Sequence, residues 1–123
     1  MTPEEELFEK FGKQFIERVR DRQIQYADMF LDQKAPLANK YKDELNGISP
    51  AQMEMLKKMV VRWIDGTLHD LLFLLEDADW IHLRLEGEGV ELEDIRRAAS
   101  GDLQGYVDIW AEKYGTTRLF DIY

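Results

Sequence analysis

The stretch over residues 60–75, VVRWIDGTLHDLLFLL, most constrains the fold of this chain because it is the most apolar run in the sequence. Its polar residues recur at helical spacing, which predicts the second half of a long helix over 50–77. A capping box formed by Ser49 and Gln52, with proline at the first helical position, marks where this helix begins. A helix that is apolar on nearly every face is typically central, so we expect the other elements to enclose it.

The rest of the chain divides into shorter elements. Apolar residues at helical spacing predict a first helix over 3–32, bent near Gly12. A short polar helix is predicted over 37–45. A final helix is predicted over about 101–114, with Ser100 as its N-cap.

Between the long helix and the last one, apolar and polar residues alternate with the period of a β-strand. If apolar partners share a face of a hairpin, Leu85 lies opposite Val90 and Leu83 lies opposite Leu92. Gly87 then occupies the first position of a two-residue turn. The sequence therefore predicts a helix-dominated α+β fold in a single domain over 1–123. In it, antiparallel helices pack with a small β-hairpin or short antiparallel sheet, to which the apolar tail over 116–123 could add a third strand.

Composition and charge exclude several classes of protein. The chain has no cysteine, so it has no disulfides and no metal site of the cysteine type. The net charge of −9 argues against nucleic acid as a ligand, because phosphate binding needs clustered lysine and arginine. No uncharged run approaches the ~20 residues that a membrane-spanning helix needs. The acidic start, MTPEEELFEK, resembles neither a signal nor a transit peptide, and we expect a cytoplasmic protein without membrane partners.

The long helix carries one set of polar residues that could form a site. Arg62, Asp65 and His69 follow one another at spacings of three and four, and Arg18 and Arg22 share a face of the first helix. One interpretation is a half-buried ligand cluster that binds an anionic group or moves a proton. The other is that these side chains form structural ion pairs only.

Signals for catalysis and for metal binding are weak. Asp65 and His69 would supply two metal ligands, whereas a catalytic zinc site usually has three from the protein. The two serines, Ser49 and Ser100, are both better explained as helix caps. We therefore expect neither a metal nor another cofactor, and we lean towards a protein that is not an enzyme. Asp65 and His69 are the candidates if a catalytic group exists.

The hairpin region concentrates negative charge. As a functional patch these carboxylates could bind a basic protein partner. Alternatively, they form a solvated edge whose charge prevents pairing with the strands of other molecules. The residues of this acidic surface are Glu86, Glu88, Glu91, Glu93 and Asp94.

The three tryptophans, Trp63, Trp80 and Trp110, are expected in the core because large aromatic side chains usually are. A long helix with aromatic surface to spare would also suit a homodimer.

Three short segments resemble small bacterial proteins that generally lack a function assignment. They are Arg20-Asp21-Arg22, Asp65-Gly66-Thr67-Leu68-His69, and Gly101-Asp102-Leu103-Gln104-Gly105-Tyr106 followed by Trp110. The resemblance implies a bacterial cytoplasmic protein and adds no reaction. Some proteins of similar size and acidity are immunity proteins that neutralise basic toxins, which is an analogy of size and charge. Two hypotheses follow: a non-catalytic acidic protein, such as an immunity or inhibitor protein, that binds a basic partner, and a small-ligand or enzymatic domain built on the polar cluster.

Overall fold

The computed structural model describes residues 1–117 and has a helix-dominated α+β fold, as the sequence predicts. The proposed third strand falls largely on residues 118–123, which lie outside the described part of the chain. The elements, in chain order, are α1 (Pro3–Phe15), a π-helical turn (Ile16–Arg20), α2 (Asp21–Leu31), a 3-10 helix (Pro36–Tyr41), α3 (Lys42–Asn46), α4 (Pro50–Asp77), β1 (Leu85–Gly87), β2 (Val90–Leu92), α5 (Arg96–Ala99) and α6 (Tyr106–Tyr114).

The first helix of the sequence prediction is continuous from α1 to α2, but it contains a π-helical turn. A π-helical turn inserts one residue into the helical repeat and rotates everything that follows. The buried face therefore passes from Phe15 and Ile16 to Arg20 and Ile24, and Val19 is left 39% exposed. Gly12 serves packing: a Cβ at this position would overlap the indole of Trp110.

The long helix α4 begins at the predicted capping box, where Ser49 accepts a hydrogen bond from the backbone N–H of Gln52 at 3.2 Å. The expectation that other elements would enclose α4 is wrong for the described residues. Its fully buried side chains lie on one face only, and they are Val61, Asp65, Leu68 and Leu72. On the opposite face Trp63 is 61% exposed.

The hairpin exists, but the predicted register is wrong by two residues. Leu85 pairs with Leu92 and Gly87 pairs with Val90, so the turn consists of Glu88 and Gly89. Both turn residues have positive φ, 52° and 78°, as a type I′ turn requires. Leu92 is 6% exposed, which favours the register that buries it beside Leu85.

The C-terminal part also differs from the prediction. Ser100 adopts a left-handed conformation with φ of 52° and ends α5, so it is not the N-cap of the final helix. That helix, α6, begins five residues later than expected, at Tyr106. In the intervening loop Asp102 accepts a hydrogen bond from the backbone N–H of Gly105 at 3.3 Å.

The core lies between α1, the hairpin, α5, α6 and one face of α4. Trp110 is fully buried and packs against Phe8 with ring centroids 4.9 Å apart. Its indole N–H donates to Glu9 at 3.1 Å, so the polar atom of this large side chain has an acceptor. The expectation of a core position is confirmed for Trp110, but Trp80 is 81% exposed.

Candidate functional site

Asp65, the centre of the predicted ligand cluster, is buried and already paired. It is 3% exposed and accepts two hydrogen bonds from Arg20, at 2.7 Å from Nε and 3.3 Å from Nη2. Arg20 has no exposed surface. Two parallel hydrogen bonds between a guanidinium and a carboxylate form a strong and directional pair. The pair joins the π-helical turn to α4 in the interior of the protein.

A second carboxylate completes this buried network. Asp21 is 1% exposed, and its Oδ1 accepts from Arg20 Nη1 at 3.1 Å. Its Oδ2 accepts from the backbone N–H and the hydroxyl of Thr116, at 2.8 and 2.9 Å. Both oxygens of each carboxylate therefore have donors. A buried ionic group with its hydrogen bonds satisfied is typical of a structural element.

Sequence reasoning missed Arg20 and placed Arg18 and Arg22 in this position. Both of those arginines are exposed. Arg22 donates from Nε to the hydroxyl of Tyr26 at 2.7 Å, on the same helix. The π-helical turn causes the difference, because it brings Arg20 rather than its neighbours onto the buried face. The spacing of four residues from Ile16 to Arg20 and from Arg20 to Ile24 was the available signal.

The remaining members of the predicted cluster lie elsewhere. His69 is partly exposed, and its Nε2 is 3.3 Å from Asp108 Oδ1 on α6. Arg62 is exposed on α4. The structure therefore pairs Asp65 with Arg20 and His69 with Asp108, and it does not assemble the five predicted residues around one cavity.

The acidic surface predicted at 86–94 is largely exposed, with one exception. Asp94 is held by Arg96, with contacts of 2.6 Å from Nη2 and 2.9 Å from Nε to its Oδ2. Hydrogen bonds from Arg96 hold the pKa of Asp94 well below its usual range, although burial opposes the shift. Arg96 also donates to the backbone carbonyl of Ala78 at 3.1 Å, next to the end of α4. Asp94 therefore has a structural role and adds little free charge to the surface.

The exposed carboxylates of the hairpin are partly paired with arginines. Arg84 contacts both Glu86 and Glu91, at 3.1 and 2.9 Å. Glu93 is 3.3 Å from Arg97. All of these side chains are at least 45% exposed, so the pairs are weakened by solvent.

The fold adds further acids to this surface that sequence reasoning missed. The first turn of α1 contains Glu4, Glu5 and Glu6, and α1 packs against both strands of the hairpin. Glu4 and Glu5 line an open depression of about 640 Å³ together with Glu91 and Glu93. A smaller depression of about 290 Å³ is lined by Glu6 and Glu88, among others. We define the extended acidic surface as Glu4, Glu5, Glu6, Glu86, Glu88, Glu91 and Glu93.

A third depression, of about 550 Å³, runs between the first helix and β1. Its apolar lining includes Phe11, Phe15 and Leu85, and cations stand at its edge, among them Lys10 and Arg18. Arg18 thus borders a groove on the outer side of the first helix and takes no part in the Asp65 pair.

Comparison with protein-family models, with characterised proteins and with solved structures returns no match for this chain. Within residues 1–117, no group of three or more histidine, aspartate or glutamate side chains has an arrangement that could hold a metal ion. No helix of the same region is long and apolar enough to cross a membrane. Function must therefore be inferred from the surfaces and the buried groups of the chain itself.

Proposed function

We propose that this protein is a non-catalytic cytoplasmic interaction protein that binds a basic protein partner through the extended acidic surface, as an immunity or inhibitor protein would. One observation carries the proposal. Two segments some eighty residues apart, the first turn of α1 and the hairpin, contribute carboxylates to the same depression. Acids scattered for solubility alone would have no reason to converge on one concave surface.

The electrostatics of the surface suit a partner rich in lysine and arginine. Seven carboxylates outnumber the nearby cations Lys10, Arg84 and Arg97. Such an imbalance accelerates association with an oppositely charged protein and sets its orientation, and the effect weakens as salt rises. The cations Arg84 and Arg97 pair weakly with three of the glutamates and leave the surface negative overall.

The alternative, a small-ligand or enzymatic site around Asp65, His69, Arg18, Arg22 and Arg62, has less support. A ligand at Asp65 would have to displace the two hydrogen bonds from Arg20 in the interior of the protein. His69 interacts with Asp108 on α6 instead. A homodimer, the second association that the sequence suggests, would use a different surface, the outer side of α4.

The first experiment locates the binding surface with a decalysine peptide as the probe. Backbone amide chemical shifts of the full chain are followed by NMR during titration at low salt. We expect the changes to concentrate at residues 4–6 and 86–93, because the local field is strongest there. Changes spread evenly over all exposed acids, or concentrated around α3, would contradict the proposal.

A matched pair of variants distinguishes the effect of where the carboxylates lie from the effect of net charge. In the first variant Glu88, Glu91 and Glu93 are each changed to lysine. In the second, Asp43, Glu44 and Glu54 are changed in the same way, which gives the same net charge on a remote, exposed part of the chain. We expect the first variant to weaken decalysine binding at least about tenfold more than the second, because charge reversal at the contact adds repulsion. An equal loss of decalysine affinity in the two variants would contradict the proposal.

A further inference from the structure

The side of α4 that faces away from the core is unusually apolar for an exposed surface. On this side Trp63 is 61% exposed, Met55 58%, Phe73 51% and Leu74 49%. Single exposed apolar residues are common, but several along one side of a single helix mark an interaction surface. We define the outward face of α4 as Met55, Met59, Arg62, Trp63, Gly66, Asp70, Phe73, Leu74 and Asp77.

The residues of the outward face are spaced along the sequence symmetrically about Gly66. Seven of its residues lie at positions 55, 59, 62, 66, 70, 73 and 77, with intervals of four, three, four, four, three and four. Intervals of three and four residues keep these positions on one side of the helix, as in the contact stripe of two helices that pack side by side. Because the intervals read the same in both directions from Gly66, an identical helix in the opposite direction matches them position for position.

Charge along α4 also changes sign at Gly66. Residues 50–64 contain Lys57, Lys58 and Arg62 and a single carboxylate, Glu54. Residues 66–77 contain three carboxylates and neither lysine nor arginine. A parallel copy would place like charges together, whereas an antiparallel copy places each basic half beside an acidic half. Under a two-fold axis every such contact occurs twice.

Gly66 itself has no explanation within the described chain. Glycine in the interior of a helix is less favourable than alanine, because it loses more conformational freedom on folding. A Cβ at Gly66 would meet nothing within 4 Å, so intrachain packing does not require its absence. A missing side chain at the centre of the face allows the backbones of two helices to approach closely where they cross.

We propose that the outward face of α4 binds the same face of a second copy of this chain, antiparallel, with the two-fold axis at Gly66. Arg62 of each protomer then lies opposite Asp70 of the other, and Met59 lies opposite Phe73. Trp63 flanks the crossing. The dimer uses no residue of the extended acidic surface, so it stands or falls independently of the proposed function.

The area of the outward face of α4 determines how tightly the dimer is expected to form. Aromatic side chains bury about 150–250 Å² each when fully enclosed, so Trp63 and Phe73 together offer roughly 200 Å². This aromatic contribution is a fraction of the about 800 Å² per partner of a standard stable interface. We therefore expect a dissociation constant between about 1 and about 100 µM.

Sedimentation equilibrium of the full chain tests the dimer directly. Over about 1 to about 300 µM, the mass should rise from 14.5 kDa towards twice that value. A mass that stays at that of the monomer over the whole range overturns the proposal. Trp80→Ala serves as the control, since it removes an exposed tryptophan outside α4 and should leave the dissociation constant unchanged.

A charge swap tests the antiparallel arrangement. Arg62→Asp and Asp70→Arg should each weaken the dimer at least about tenfold, because each places like charges together across the interface. The double variant, R62D with D70R, should restore it to within about threefold, since the pair is re-formed with reversed signs. Positions 62 and 70 are about 12 Å apart along one helix, so restoration has to come from pairing between protomers. A double variant as weak as the single variants would refute the arrangement.

Gly66→Gln distinguishes loss of the dimer from loss of the fold. Glutamine favours a helix more than glycine does, so the monomer should unfold at the same or a higher temperature. Its side chain should keep the two backbones apart and weaken the dimer at least about tenfold. A variant that dimerises with an unchanged dissociation constant would rule out a crossing at Gly66.

Discussion

At the scale of single residues, Arg20 joins the π-helical turn to α4 inside the protein. It is fully buried and bonded to two carboxylates from different helices, Asp65 and Asp21. The sequence predicted a polar cluster around Asp65 with arginines of the first helix beside it, either as a ligand site or as structural ion pairs. It did not identify which arginine, since an ideal helical repeat places Arg18 and Arg22 on one face. The π-helical turn places Arg20 on the buried face, and its four-residue spacings to Ile16 and Ile24 were the local sign of this in the sequence.

Replacing Arg20 by methionine should therefore be severe. The variant leaves the carboxylate of Asp65 buried without its partner, which costs about 3–5 kcal/mol of the free energy of unfolding. Urea denaturation followed by circular dichroism measures the loss. Arg18→Met is the matched control, because Arg18 is exposed, and its effect should stay within about 0.5 kcal/mol. An Arg20 variant as stable as this control would show that the buried network contributes no net stability.

At the scale of the elements, local signals in the sequence predicted where the long helix begins more accurately than they predicted the register of the hairpin. The capping box at Ser49 and Gln52 fixed the start of α4, because cap and first turn are read from neighbouring residues. Alternation correctly identified two strands but left their relative shift open, since a shift of two residues keeps every side chain on its face. The burial of Leu92 against the core favours the observed shift, and that contact depends on the tertiary fold.

Asp94 connects these elements, and its ionisation should make their stability depend on pH. Hydrogen bonds from Arg96 lower the pKa of Asp94 in the folded protein, against an ordinary value of about 3.9 for the unfolded chain. Because the pKa of Asp94 is lower in the folded state, its ionisation adds to the free energy of unfolding. This contribution is fully present above the pKa of the unfolded chain, and it is lost as the pH falls from that value towards the pKa of the folded protein.

At neutral pH, Asp94→Asn should cost about 1–3 kcal/mol, because it removes charged hydrogen bonds to Arg96. That deficit should shrink as the pH falls from about 4 to about 2, because Asp94 of the unfolded wild type takes up a proton there while the folded protein stays ionised. Urea midpoints of both proteins across this range provide the measurement. Glu93→Gln, whose side chain is largely exposed, should show a small deficit at every pH. A deficit for Asp94→Asn that is constant with pH would contradict the assignment.

At the scale of the whole molecule, the chain separates its two candidate interaction surfaces. The extended acidic surface belongs to the start of α1 and to the hairpin, whereas the outward face belongs to α4. The sequence indicated both, through the acids at 86–94 and the apolar run at 60–75. It could not show that Glu4 and Glu5 join the first surface, because that depends on α1 packing against the hairpin. Nor could it show that Trp63 would be exposed, because apolarity alone does not distinguish a core face from an interface.

If both surfaces act as proposed, the dimer carries two independent acidic surfaces and should bind two copies of a basic partner. Decalysine titrated into the wild type above its dimer dissociation constant should bind with one peptide per protomer. The monomeric variant Gly66→Gln should bind with the same stoichiometry per protomer and an affinity within about twofold, since it alters no residue of the acidic surface. Isothermal titration calorimetry, with the mass of each complex from sedimentation, measures both quantities. A monomeric variant that loses decalysine binding would mean that the acidic surface is completed by the second protomer, and that the two surfaces form one composite site.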